Sequence, residues 1–420
     1  MTKASKVSDV VAPYSVEKLT ALATKASWPS VGLAECCEVI QGQSPPGSTY
    51  NSEGRGLPFF QGKAEFGDLY PTVKKWCTAP AKVAEPDDVL ISIRAPVGPT
   101  NLCPTRAAIG RGLAALRCGQ DVLPRYLLYA MRGSAHQLMN QATGSTFDAI
   151  SGKQLREHKI PFAPIKEQRQ IVAEIEEQFS HLEAGVAALK RAQANLKRYC
   201  GSVLHAAYRG MLSSGISKDQ RQDADLPEGW TWSNLGERFR VEVGATPSRK
   251  EPTYWNGDVP WVSSGEVQFG RVRSTAESIT QTGLANSSTR INPAGSVLLG
   301  MIGQGRTRGQ AAILEIDAAN NQNCAAIWVS QTGTPPEYVF YWLMSRYEDT
   351  RREGSGNNQQ ALNKTLVQQI PIPMAPVEEQ HRIVAEIERR LSVVEELKAQ
   401  LRSDFARAAQ LSNSILQKAF

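Results

Sequence analysis

No run of about 18 apolar residues occurs anywhere in the chain, and its opening stretch, residues 1–9, lacks an apolar core of signal-peptide length. A soluble, cytoplasmic protein with no membrane partner is expected. The seven cysteines (Cys36, Cys37, Cys77, Cys103, Cys118, Cys200 and Cys324) include no C-x-x-C pair and make an odd total, which argues against a disulfide framework and against a zinc site. The five histidines have no metal spacing and no H-E-x-x-H helix is present, so no metal is expected. A G-x-x-x-x-G-K-[ST] loop is missing, which argues against a motor. The Pro-Pro pairs at Pro45-Pro46 and Pro335-Pro336 lack the amide and aromatic neighbours that an adenine methyltransferase pocket uses. Gly303-Gln-Gly305 is followed by Arg306-Thr-Arg308, where a dinucleotide loop would close on glycine. The balance of 47 basic against 41 acidic side chains is mild, so it permits a nucleic-acid partner without demanding one.

What the chain does contain is a long element written twice. Pro164-Ile-Lys-Glu-Gln-Arg-Gln-Ile-Val-Ala-Glu-Ile-Glu176 returns as Pro376-Val-Glu-Glu-Gln-His-Arg-Ile-Val-Ala-Glu-Ile-Glu388, with nine of thirteen positions identical. Ser202–Tyr208 matches Ser414–Phe420 at the same offset, so an entire rigid element is duplicated. Val172, Ile175, Phe179, Leu182, Val186, Leu189, Leu196, Cys200 and Val203 follow alternating steps of three and four, a heptad seam. Val384, Ile387, Leu391, Val394, Leu401, Phe405, Ala408 and Ile415 repeat it, and each seam is broken once by a polar residue, Gln193 or Lys398. Pro161 and Pro164 bar the first helix from extending backwards, as Pro371, Pro373 and Pro376 bar the second. Each helix should run on the order of 60 Å and serve as a spacer. Two copies in one chain can close their seams on each other without a second subunit.

The remaining sequence divides accordingly. Residues 1–27 form a polar leader and 28–160 a globular segment of short strand-length apolar runs between Gly and Pro turns. The central spacer helix takes 161–210, a polar linker 211–227, a second globular segment 228–370, and the C-terminal helix 371–420. Landmarks recur between the globular segments: Gly42-Gln-Ser-Pro45 with Gly244-Ala-Thr-Pro247, and Pro124-Arg-Tyr126 with Pro336-Glu-Tyr338. The fold class expected is α+β, two mixed domains in pseudo-twofold repeat with two long antiparallel coiled-coil helices. Polar interior positions match worst, as they would if the two domains recognised different things.

Several polar loops suit nucleic acid. Residues 301–310 place Gln304, Arg306 and Arg308 among glycines, which let backbone approach a phosphate, while Arg forks onto guanine and Gln onto adenine. Arg94 lies at the equivalent place in the first domain. Lys63 and Ser263 mark a second pair of matching loops, and Arg111 and Asn321 a third. No catalytic residue is identified.

The doubled Pro-x-x-Glu-Gln start resembles the specificity subunit of type I restriction-modification systems. The likeness rests on Ile160–Gln168 with Ile171-Val172 and on Ile370–Gln380 with Ile383-Val384. Leu226-Pro-Glu-Gly-Trp-Thr-Trp232 ahead of Leu235-Gly-Glu237, and Thr246-Pro247-Ser248 with Tyr254-Trp255, also carry it. The first domain opens with Trp28-Pro-Ser-Val and lacks the Pro-Glu-Gly lead. The resemblance implies a non-catalytic DNA-recognition subunit. Each domain would read half of a split, asymmetric double-stranded DNA site, with half-sites about one turn apart. The helices would dock two methyltransferase subunits through Glu167, Gln168, Ile171, Glu379, Gln380 and Ile383, and restriction subunits would complete the assembly. This chain would bind no cofactor, S-adenosylmethionine, ATP and Mg belonging to the partners. A coiled-coil scaffold that binds protein, and a self-contained DNA-modifying enzyme, are the competing readings.

Overall fold

The computed structural model describes residues 28–141, 149–212, 226–303, 305–352 and 361–420. The polar leader, most of the 211–227 linker and Gln304 lie outside these residues. The chain divides into two units, Met1–Arg191 with Leu401–Phe420, and Ala192–Gln400.

In the first unit a four-stranded antiparallel sheet has the order Cys37–Gln41, Leu113–Cys118, Val89–Ser92, Thr100–Leu102. Successive residues of a strand face opposite sides. Val89, Ile91, Ala114 and Leu116 accordingly enter the core beneath the helix Pro124–Gly133, and Leu90, Leu113 and Ala115 enter a second cluster with Phe60 and Ile109. Burial on both faces explains why these strands read as unbroken apolar runs. A second sheet orders Tyr50–Asn51, Trp76–Cys77, Leu57–Phe60, Ala107–Ile109 and Val83–Ala84, with Phe59–Phe60 parallel to Ala108–Ile109.

The second unit repeats this plan. Its five-stranded sheet has the order Arg240–Val243, Cys324–Trp328, Ser296–Gly300, Ala311–Leu314, Gly270–Val272. Val297 and Leu299 face one core and Leu298 the other. Its three-stranded sheet again contains one parallel pairing, Trp261–Val262 beside Ala319–Asn320.

The long helices run from Ile165 to Ala207 and from Val377 to Ala419, 43 residues each, or about 65 Å. The first helical bonds, Gln168 N to Pro164 O and Gln380 N to Pro376 O, are both 2.9 Å, so the prolines set the starts. Both helices begin later than the sequence boundaries, because residues upstream of each form a strand. Lys159–Pro161 pairs with Ser30–Gly32, and Pro371–Met374 pairs with Thr231–Asn234. Pro371 and Pro373 fit such a strand because they have no N–H to satisfy. Their carbonyls accept from Trp342 Nε1 and Tyr338 OH, each at 2.7 Å.

The seam closes within the chain. In the first unit Ile171 and Ile175 share a core with Ile415, Leu416 and Ala419. In the second, Leu204 and Ala207 share one with Ile383, Val384 and Ile387. The start of one helix is thus paired with the end of the other in both units, which is antiparallel pairing. Gln193 is exposed and lies outside the seam, and half-buried Lys398 pairs with Glu395 on its own helix at 2.7 Å.

Candidate nucleic-acid interface

In each domain a tight turn after the parallel strand gathers the other polar loops. In the first domain the turn is Gly110–Gly112. Gly110 N donates to Phe60 O at 2.8 Å, Gln43 N to Ile109 O at 3.1 Å, and Ile93 N to Gly112 O at 3.0 Å. Three chain segments, around residues 43, 61 and 93, therefore converge on one turn. The second domain repeats the bonds at Asn321–Asn323. Asn321 N donates to Val262 O at 3.0 Å, Ala245 N to Asn320 O at 3.0 Å, and Met301 N to Asn323 O at 2.8 Å. The approach is close enough to require glycine. A Cβ on Gly42 would stand 2.2 Å from Gly110 O, and one on Gly244 1.8 Å from Asn320 O.

The fold brings Lys63, Arg94 and Arg111 to one such cluster and Ser263, Arg306, Arg308 and Asn321 to the other. They differ in what they offer. Lys63, Arg94, Arg111 and Arg306 are exposed cations. Tyr347 OH donates to Arg306 O at 2.7 Å, fixing the backbone while leaving the guanidinium outside.

The remaining three, Ser263, Arg308 and Asn321, have structural work within their own domain. Arg308 is buried and donates through Nη2 to Arg351 O at 2.6 Å, while Arg351 Nη1 donates to Arg308 O. That exchange ties the 301–310 loop to the helix Tyr347–Arg352. Ser263 N and Oγ donate to Glu266 Oε2 at 2.8 and 2.9 Å, the same brace that Glu65 Oε2 gives Gln61 N and Gly62 N. Asn321 is buried and its Oδ1 accepts from Asn323 N at 3.0 Å, shaping the turn.

Sequence reading missed two features. Thr246 Oγ1 donates to Gln322 Oε1 at 2.6 Å, and at the matching place Ser44 Oγ accepts from Arg111 N at 3.3 Å. Arg249 stacks 3.6 Å from the Trp255 ring centroid and 5.3 Å from that of Trp261 while bonding Glu277, whose carboxyl it holds below its ordinary range. The interleaved Arg249, Trp255 and Trp261 were the available signal for it.

The six helix-start residues turn inward, towards their own domain. Gln168 Nε2 donates to Asp121 O and Ala163 O, both at 2.8 Å, and its Oε1 accepts from Leu123 N at 2.9 Å. Gln380 Nε2 donates to Ala375 O at 2.7 Å. Ile171 and Ile383 are buried. Glu167 accepts from Trp28 Nε1 at 2.7 Å and Glu379 from Trp230 Nε1 at 2.9 Å. Trp28 therefore does in the first domain what the tryptophan after Pro-Glu-Gly does in the second. These side chains join helix to domain.

Among the described residues no cluster of His, Cys, Asp and Glu could hold a metal, and no helix is long and apolar enough to cross a membrane.

The type I restriction modification DNA specificity domain profile matches residues 26–188 and 227–402, one stretch for each repeat. A putative type I restriction enzyme specificity subunit of Methanocaldococcus jannaschii, MjaX, is 41% identical over 142 residues, 34% of this chain and 33% of that one, so the match spans about a third of the relative. The EcoBI type I specificity subunit of Escherichia coli is 21% identical over 416 residues, covering 94% of this chain and 85% of its own length. A chain from a structure of complex assembly in a type I restriction-modification system superposes with a TM-score of 0.72 at 20% identity, covering 93% of this chain and 97% of that one. With both repeats matched in sequence and the whole architecture shared, the chain belongs to the type I restriction-modification DNA specificity family.

Proposed function

We propose that each loop cluster reads one half of a bipartite, asymmetric DNA site, and that the long helices set the unread gap and dock two methyltransferase subunits. The observation that carries this is the duplicated cluster itself. Backbone bonds at the two turns coincide, whereas the exposed side chains differ, Lys63, Arg94 and Arg111 in one domain and Arg306 with Gln322 in the other. A common frame with different chemistry at its tips suits one task performed on two sequences. This reading leaves bond-making to partners. S-adenosylmethionine would reside on the methyltransferases, and ATP and Mg on restriction subunits where these join.

Arg306 tests it. In cells where the variant replaces the native chain, Arg306→Ala should relax or abolish reading of one half of the methylated motif and leave the other half intact, because the contact is local. Relaxation of both halves together, or of neither, would overturn the assignment. Affinity for duplex DNA should also fall steeply as salt rises, reflecting phosphate contacts. A protein-binding scaffold would lack that dependence on DNA, and a self-contained enzyme would methylate DNA without companions.

A further inference from the structure

Arg111 and Gln322 stand at the same place in the two domains, in the loops 109–112 and 320–323 that the sequence sets opposite each other. The strand registers fix the pairing. Phe60 pairs with Ile109 and Val262 with Asn320 in the two parallel ladders, so Gly110 corresponds to Asn321 and Arg111 to Gln322. The bonds closing the turn agree, Ile93 N to Gly112 O and Met301 N to Asn323 O. Both residues are exposed at the centre of their loop cluster, flanked on either side by residues held in structural bonds.

Each is braced by the hydroxyl that precedes the proline of the neighbouring turn. Ser44 Oγ accepts from Arg111 N, which fixes the backbone and leaves the exposed guanidinium to reach outwards; among the described residues that guanidinium makes no ion pair. Thr246 Oγ1 donates to Gln322 Oε1. An amide oxygen has two lone pairs and the Nε2 group has two hydrogens. The held amide can thus still present an acceptor and a donor side by side. That pattern matches the N6 and N7 edge of adenine, whereas the guanidinium fork matches O6 and N7 of guanine.

We infer that this turn position determines specificity, Arg111 selecting a guanine in the half-site of the first domain and Gln322 an adenine in that of the second, with Thr246 as the positioning residue for Gln322. The inference rests on the DNA-reading role proposed above and names the residue through which each half-site differs.

The test uses the full chain with its methyltransferase partner in cells where the variant replaces the native copy, and reads methylated adenines across the genome. Gln322→Arg should change one base pair of one half of the motif from A·T to G·C, and Arg111→Gln should make the opposite change in the other half. The purified complex provides a second measurement, on duplexes carrying each single base-pair substitution. Wild type should discriminate about tenfold or more at that base pair, Gln322→Ala about twofold or less, and Thr246→Val an intermediate amount at the same base pair alone. Unchanged motifs, or tenfold discrimination retained at every position by Gln322→Ala, would overturn the inference while leaving the wider reading in place. If deleting the native chain left the methylation motif unchanged, the wider reading itself would fail.

Discussion

Gln168 and Gln380 begin the two long helices at equivalent places, yet one is fully bonded and the other is not. Gln168 spans Asp121, Ala163 and Leu123 through both ends of its amide. Gln380 Oε1 is buried and lacks a hydrogen-bond partner among the described residues. The missing bond to Oε1 traces to a single N–H, that of the residue capping the domain helix that precedes each glutamine. Leu123 caps Pro124–Gly133 and supplies its N–H, whereas Pro335 caps Pro336–Ser345 and has none to give. Duplication preserved the glutamine in both copies, and the proline removed half of its function in one.

This comparison can be broken from both sides. Gln168→Leu strands the buried Ala163 carbonyl together with the part-buried Leu123 N–H and Asp121 carbonyl and should cost about 3 kcal/mol, since each orphaned group costs about 1–3 kcal/mol. Gln380→Leu loses one bond and should cost about 1 kcal/mol. Hydrogen exchange of residues 120–130 and 332–342 under mild urea separates the two, and equal costs would refute the asymmetry. Leu123→Pro is gentler. The native φ of −81° and ψ of 134° suit proline, so the losses are the N–H donated to Gln168 and part of the Leu123 packing on the core, together about 2 kcal/mol. The reverse change, Pro335→Leu, should be close to neutral. It gains a bond to Gln380 worth about 1 kcal/mol and loses a similar amount because the unfolded chain becomes freer.

The same pair shows what a sequence can and cannot convey. The helices, their antiparallel pairing and the doubled plan were legible, because a heptad seam repeated in register leaves few other arrangements. The orientation of the Glu-Gln motif was not. A glutamine among charged residues reads as surface, and only the docking of each domain onto its own helix turns Gln168 and Gln380 inward. Arg308 misleads in the same way, since a cation between glycines reads as solvated until Arg351 is found beside it. Thr246 and Gln322 lie 76 residues apart, a pairing that no local pattern announces. Trp28 was matched to Trp230 only when both were found bonded to the helix-start glutamates.

A smaller difference between the domains separates them by pH. His158 N-terminal to the strand Lys159–Pro161 is buried, and its place in the second domain is taken by Ile370: Leu33 N donates to His158 O as Leu235 N does to Ile370 O. Ser134 Oγ lies 2.9 Å from Ala130 O and 2.8 Å from His158 Nε2, a hydrogen-bonded contact that holds the imidazole in the core. Burial lowers the His158 pKa from its ordinary value. The unfolded chain therefore takes up the proton first as pH falls, and it binds more protons than the folded chain between the ordinary and the lowered pKa. Stability of the first unit should be fully present above pH about 6.5 and decline below it, with a slope no steeper than that of one proton. His158→Ile, which installs the residue of the second domain, should remove this slope in exchange measurements on the first unit and leave the second unchanged. A slope that survives the substitution would assign the acid sensitivity to other groups.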